Sequence, residues 1–230
     1  MHSFCMKKLI VLASLLLLML SLSAASVSVG FEAGADCNMI ISGKGYRNYE
    51  YTWKAGFTSS IPVIVEFTPS LSLETGFSYS FRNYGYSRTS DDNIKTLDYT
   101  ADNSFLELPL AFRYTYTFPD SSWSLFASFG GFVGWWLTGR RYGKAYTIDI
   151  TPSLKDFNQE TDLSNYNRFQ SGVTASLGVK LKLDEKTDGT LRVGYSLALT
   201  DLHRAQKYGA YPVHNSTFSL VGGLMWRCGK

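Results

Sequence analysis

Leu71-Ser72-Leu73-Glu74-Thr75-Gly76-Phe77-Ser78-Tyr79-Ser80-Phe81-Arg82 separates into two rows when every second residue is taken. Leu71, Leu73, Thr75, Phe77, Tyr79 and Phe81 form the apolar row; Ser72, Glu74, Gly76, Ser78, Ser80 and Arg82 form the polar or very small one. A period of two is the mark of an extended strand, whose successive side chains leave opposite faces. The segment is also long: a soluble strand runs about five or six residues, whereas a tilted strand crossing a bilayer needs about ten. The pattern returns where Leu106, Leu108, Leu110, Phe112, Tyr114 and Tyr116 alternate with Glu107, Pro109, Ala111, Arg113 and Thr115. It returns again over 173–183 and 191–199, and more noisily over 26–38, 54–67, 123–136 and 216–227. The reading is all-β: an antiparallel up-and-down barrel of about eight strands.

A soluble sandwich alternates too, so the connections and the aromatic residues must decide between a core-facing and a lipid-facing apolar row. Thr68-Pro69-Ser70, Phe118 to Ser122 and Asp184 to Thr187 read as tight turns, while 39–53, 83–104, 137–167 and 201–215 read as long polar connections rich in Tyr. Short periplasmic turns alternating with long outer loops belong to outer-membrane barrels. Phe67, Tyr116, Phe118, Trp123 and Trp226 adjoin the short turns, and Trp53, Tyr84, Tyr86, Trp135 and Trp136 adjoin the long loops. Two aromatic belts at two heights are what the two bilayer interfaces select.

Ahead of the patterned region, Lys7 and Lys8 precede an apolar run from Leu9 to Leu22 and the small residues Ser23, Ala24, Ala25 and Ser26. This predicts a signal peptide over 1–25, cut after Ala25, and one barrel domain over 26–230, with Met6 as an alternative start. The run is short for a spanning helix, and no polar linker follows it, which disfavours an uncleaved anchor. Without Lys7 and Lys8, 20 basic residues face 19 acidic ones, so neither composition nor charge implies nucleic acid. Cys37 lies about ten residues into the first strand and Cys228 past the last, which sets them roughly 20 Å or more apart, beyond disulfide reach.

An eight-stranded barrel has an interior that side chains fill. The polar parity places Glu32, Asp36, Glu66, Glu74 and Glu107 inside, with Arg82, Arg113, Lys180, Lys182 and Arg192. Unpaired charge in such a lumen is costly, so the expectation is a network of ion pairs that plugs the barrel, with a small gated channel as the alternative. Arg140, Arg141 and Lys144 follow Trp135 and Trp136 in the third long loop, at the height of lipopolysaccharide phosphates, and are candidates for contact with them. A lipid-modifying enzyme is the further alternative. Its candidate groups are His214 and Ser216, two residues apart on one face, with Asp201 and His203 on the neighbouring strand end; no acid partner or oxyanion donor can be assigned to them, so no catalytic residue is predicted. No Cys/His cluster or regular acidic loop suggests a metal, and no cofactor is expected.

Three stretches, Ser104-Phe105-Leu106-Glu107-Leu108-Pro109-Leu110, Ser128-Phe129-Gly130-Gly131-Phe132-Val133-Gly134 and Asn215-Ser216-Thr217-Phe218-Ser219-Leu220, resemble the PorT-like outer-membrane β-barrel family. The fold is also similar to small eight-stranded barrels of the OmpA/OmpX type. The resemblance implies a barrel in the outer membrane of a Gram-negative-type bacterium, and, because the member that names the family serves a protein-secretion apparatus, an accessory part in such an assembly. The expected function is therefore non-enzymatic: a structural, surface-interaction or secretion-accessory component. Its expected partners are outer-membrane lipid and either other envelope proteins or an extracellular macromolecule.

Overall fold

Alternating side chains need two environments, and the chain supplies them by closing its sheet on itself. The computed structural model describes residues 26–42, 49–89, 95–147, 153–202 and 212–228; the expected signal segment 1–25 lies outside them. The strands are β1 (Ser26–Ser42), β2 (Tyr49–Glu66), β3 (Leu71–Phe81), β4 (Tyr84–Thr89), β5 (Lys95–Thr117), β6 (Trp123–Thr147), β7 (Ser153–Glu160), β8 (Phe169–Lys182), β9 (Thr187–Ala198) and β10 (Val213–Cys228), with a 3-10 turn at Leu163–Asn165. Every pairing is antiparallel, and β1-β2-β3-β5-β6-β8-β9-β10 form a ring that β10 closes against β1. The wall therefore has eight staves. β4 continues the line of β3 beyond the break at Arg82 and Asn83, and β7 pairs with the outer part of β6.

The stagger of the ring follows from its register. Starting at Val29, the paired residues run through Val63, Thr75, Leu110, Gly131, Val173, Leu197 and Ser216, and return to β1 at Met39, ten residues further on. Eight strands with that shear tilt by about 40° and enclose a backbone cylinder about 8 Å in radius. Such a bore is filled by side chains.

The outer surface carries the apolar rows expected of it: Phe31, Phe57, Ile61, Phe77, Leu110, Phe112, Phe129, Leu177, Val193 and Leu220 are all exposed. On the short-turn side Tyr116, Phe118, Trp123 and Trp226 form one belt; on the long-loop side Trp53, Phe81, Trp135, Phe169 and Phe218 form the other. Trp136 departs from the expectation. It is 0% exposed, stacked on Phe105 with 5.5 Å between ring centroids, whereas Trp135 is 46% exposed. Consecutive strand residues point to opposite sides, so only one of an adjacent pair can join a belt. Tyr84 is likewise buried, in a cluster with Ile40, Ala101, Phe105, Trp136, Leu202 and Val213 that caps the outer end of the bore, and Tyr86 packs against it.

Two of the expected long loops are largely strand. β2 begins at Tyr49, β5 at Lys95, and β6 runs on to Thr147, so that β2, β4, β5, β6 and β7 continue outward past the Trp53–Trp135 belt as an ordered sheet. The short turns are closed by side chains: Thr68 Oγ1 accepts from the amide of Leu71 at 3.0 Å, and Asp184 Oδ1 from those of Lys186 and Thr187 at 2.7 Å each. Cys228 pairs with Val27 at the short-turn end and Cys37 with Phe218 ten residues further along β1, and both thiols are free.

Candidate functional site

The inward rows bring the expected lumen charges together in two groups. Nearer the short turns, Arg192 Nη2 lies 2.6 Å from Glu32 Oε2 while its Nη1 meets Glu74 Oε1. Arg113 Nη2 lies 2.8 Å from Glu74 Oε2, and its guanidinium sits 4.0 Å from the centre of the Phe126 ring. The Thr190 hydroxyl donates to Glu32 Oε1 at 3.0 Å. Two carboxylates and two guanidiniums thus balance, joined from β1, β3, β5 and β9. Nearer the outer end, Arg82 Nη2 lies 2.5 Å from Glu107 Oε1, with its guanidinium between the rings of Phe105 and Phe132 at 5.3 and 5.2 Å. Asp36 points into the same region, and neither of its buried carboxylate oxygens has a hydrogen-bond partner among the described residues.

Above the Arg82 group lies an amide layer that sequence reading did not single out. Asn38 Nδ2 donates to Asn215 Oδ1 at 3.3 Å, Asn215 Nδ2 to Gln170 Oε1 at 3.0 Å, and Thr217 Oγ1 to Asn38 Oδ1 at 2.7 Å. The signal was present, because these residues hold inward parity. Charge is simply easier to notice than an amide. Between the two charged groups is a cavity of about 110 Å³, 11 of whose 24 lining residues are serine or threonine.

Three expected lumen charges sit differently. Lys182 has inward parity but lies at the exposed last position of β8, outside the network. Glu66 ends β2 at the short-turn mouth, where it accepts from the Ser26 hydroxyl. Lys180 pairs with Asp188 at 3.7 Å, which Arg227 also approaches at 3.5 Å, making a small group at that mouth apart from the central network.

The three basic residues expected at the lipopolysaccharide level do not share a face. A bulge explains this: Phe105 pairs with Trp136 but Ser104 with Thr138, so Leu137 is an extra residue and parity inverts beyond it. Arg141 consequently points inward, where its guanidinium lies 5.6 Å from the Tyr99 ring centre and 5.1 Å from that of Tyr166. Arg140 and Lys144 are exposed, yet the register gives each two acidic neighbours: Asp102 and Glu160 flank Arg140, and Asp98 and Asp156 flank Lys144. Cross-strand opposite charges attract, so this face offers phosphate no excess of positive charge. Burial holds the Asp102 carboxyl above its usual range, against the opposing pull of the Tyr142 hydroxyl and Arg140.

His214 and Ser216 are engaged separately. His214 Nδ1 lies 3.2 Å from the Thr200 carbonyl, Ser216 donates to the Tyr195 hydroxyl at 3.0 Å, and Asp201 accepts from the Val213 amide at 3.0 Å. His203 lies outside the described residues.

A closed antiparallel ring with an apolar outer surface, two aromatic belts and a charged interior is a membrane β-barrel of the outer-membrane kind. The chain belongs to the outer membrane protein beta-barrel domain family, which it matches over residues 21–204. No curated protein matches it. Among solved structures it is similar to the outer membrane protein OprG from Pseudomonas aeruginosa, at 12% identity over 90% of this chain and 98% of that one, with a TM-score of 0.50. Neisserial surface protein A aligns at 12% identity over 86% and 96% of the two chains, with a TM-score of 0.45. The outer membrane protease OmpT from Escherichia coli aligns at 8% identity over 90% and 98%, with a TM-score of 0.46. At 12% identity the likeness to OprG speaks for a shared fold alone.

Proposed function

We propose that this barrel is a non-enzymatic surface component of the outer membrane whose protruding sheet engages another macromolecule, as an accessory of an envelope assembly of the PorT-like kind. The observation that carries this reading is the sheet itself. From Leu137 to Thr147, β6 adds about 30 Å of strand beyond the belt, a large ordered investment for a mere connection. Its inner face is packed with tyrosine, Tyr51 against Tyr86 at 5.3 Å and Tyr86 against Tyr99 at 4.9 Å, so its shape is fixed before any partner arrives. Its rim strand β7 has one neighbour among the described strands, β6, which leaves a backbone edge of the kind that extended segments of other proteins join. The bore beneath is occupied by the two ion-pair groups and closed above by the aromatic cap, which supports a plug over a conducting path.

Photo-crosslinking from position 142 in intact outer membranes tests this, since Tyr142 is exposed on the outward face. Recurrent envelope or extracellular partners are expected from the full chain. They should be lost when a two-residue turn joins Arg140 directly to Glu160, which face each other across the ladder. Recovery of the lone barrel in both cases, or altered lipid A on overexpression, would overturn the reading.

A further inference from the structure

The wall holds two prolines in strands that have neighbours on both sides, where a missing amide hydrogen removes a ladder bond. Pro62 in β2 and Pro109 in β5 fall at one level, on either side of Gly76 in β3. The ladder is interrupted at both. Between β1 and β2 the register passes from Val29–Val63 directly to Glu32–Ser60, and between β3 and β5 from Thr75–Leu110 directly to Ser78–Glu107. Between the breaks, β2 and β3 stay paired without interruption, and Gly76, at φ 137°, packs so closely on β2 that a Cβ there would lie 2.1 Å from the Ile61 carbonyl oxygen. The hairpin β2–β3 is thus a panel bound well within itself and loosened from both neighbours at mid-wall.

The cavity lies behind this panel. Its lining residues have inward parity with two exceptions: Phe77, within the interrupted stretch between β3 and β5, and Thr75, the paired residue at its edge. The Thr75 hydroxyl donates to the Pro109 carbonyl at 2.9 Å, one side-chain bond spanning the break. Along the barrel axis the cavity is bounded by the Arg82–Glu107 pair on one side and the Glu74–Arg113–Arg192 group on the other.

We propose that the β3–β5 break is a lateral port, through which the lumen cavity exchanges with the bilayer and takes up a small, neutral, hydrogen-bonding molecule. The cavity walls supply hydroxyls, from residues such as Ser60, Ser78, Ser128 and Ser196, and the Asp36 carboxylate, which has no hydrogen-bond partner among the described residues, supplies acceptors for a donor on the ligand. A charged molecule would have to leave water for hydrocarbon to reach such a port, which selects against it. This goes beyond the surface role proposed above, because it concerns the wall and not the protruding sheet.

The test uses the full-length chain in nanodiscs, with Cys37 and Cys228 replaced by serine and one thiol introduced in the cavity as Ser128→Cys. Folding is checked by the heat-modifiable mobility of the barrel. N-ethylmaleimide, neutral and bilayer-soluble, is expected to modify that thiol about tenfold faster than a sulfonated, membrane-impermeant thiol reagent, as local opening at the wall requires. Pro109→Val, which restores an amide hydrogen at the break, should slow the maleimide reaction several-fold and leave the sulfonated reagent unaffected. Equal rates for the two reagents, or an unchanged maleimide rate in Pro109→Val, would overturn the port. Should Pro109→Val fail to fold, Thr75→Val removes the bridging hydroxyl and should quicken the maleimide reaction; no change there would overturn it equally.

Discussion

Arg192→Met tests whether the lumen charges act as one network. Arg192 touches both Glu32 and Glu74, and the two carboxylates are unequally exposed to its loss. Glu74 keeps Arg113 at 2.8 Å, whereas Glu32 keeps only the Thr190 hydroxyl at 3.0 Å. The substitution therefore strands one buried carboxylate, and breaking a buried pair in this way costs about 3–5 kcal/mol. With a urea dependence of about 2 kcal/mol per molar, the unfolding midpoint should fall by roughly 2 M. Reversible urea titration in lipid vesicles, followed by tryptophan fluorescence, gives the number. The double variant Arg192→Met with Glu32→Gln removes the stranded charge as well and should recover most of the loss, a coupling that independent sites do not show. A single-variant cost below about 1 kcal/mol, or a double variant that loses more than the single one, would refute the reasoning, because the lumen would then be hydrated enough to shield its charges.

The adjacent tryptophans should behave very differently: Trp136→Ala opens a hole in the outer cap and is expected to cost about 3–5 kcal/mol in the same titration, while Trp135→Ala, which loses an exposed ring and its contact with the Arg168 guanidinium, should cost less. Planar-bilayer recordings of the purified barrel should show no steady large conductance, and a stable open level of that kind would remove the plug. At the β8–β9 turn the amide of Lys186, then the hydroxyl and amide of Thr187, hold the Asp184 carboxyl below its usual range. A carboxyl lowered by folding stabilises above its unfolded value, near 3.9, and loses that contribution as pH falls through the folded value. NMR titration of Asp184 should give a midpoint below the unfolded value, and Asp184→Asn should remove that part of the acid sensitivity; a midpoint at or above the unfolded value would dismiss the turn's hold on it.

The membrane-embedded wall was legible in the sequence because lipid forces a clean alternation. From 71–82 alone, the rows that face lipid and lumen can be assigned, and Glu74, Arg82, Glu107 and Arg113 fall on the inward row where the structure buries them. Beyond the belts that constraint ends, and the reading weakens with it. Residues 137–147 look like loop because Arg140, Tyr142 and Lys144 face water, so the strand shows no apolar row; what holds it is tyrosine packing and cross-strand charge, a pairing visible only once the register is known. Arg141 faces inward for a smaller reason: the single extra residue Leu137, which no composition or period reveals, inverts the parity beyond it. Lys182 lies outside the network because parity gives direction but not depth: at the last position of β8 an inward-pointing lysine already reaches water. Asp36 could be put inside from sequence, but its lack of a hydrogen-bond partner among the described residues depends on where the other strands of the ring place their side chains.

Closing the ring through β1 and β10 also fixes an order of events. Val27 pairs with Cys228 and Ser42 with Val213, so the joint that completes the cylinder unites the two ends of the described chain. Until the last strand is present, β1 has an unsatisfied backbone edge and the lipid-facing rows have no bilayer-ready surface to belong to. The ten-residue stagger meets itself only with all eight staves in place. Until that joint forms, the free edges of β1 and β10 are open to strands of other chains, and the unfinished sheet must be kept apart from its own kind.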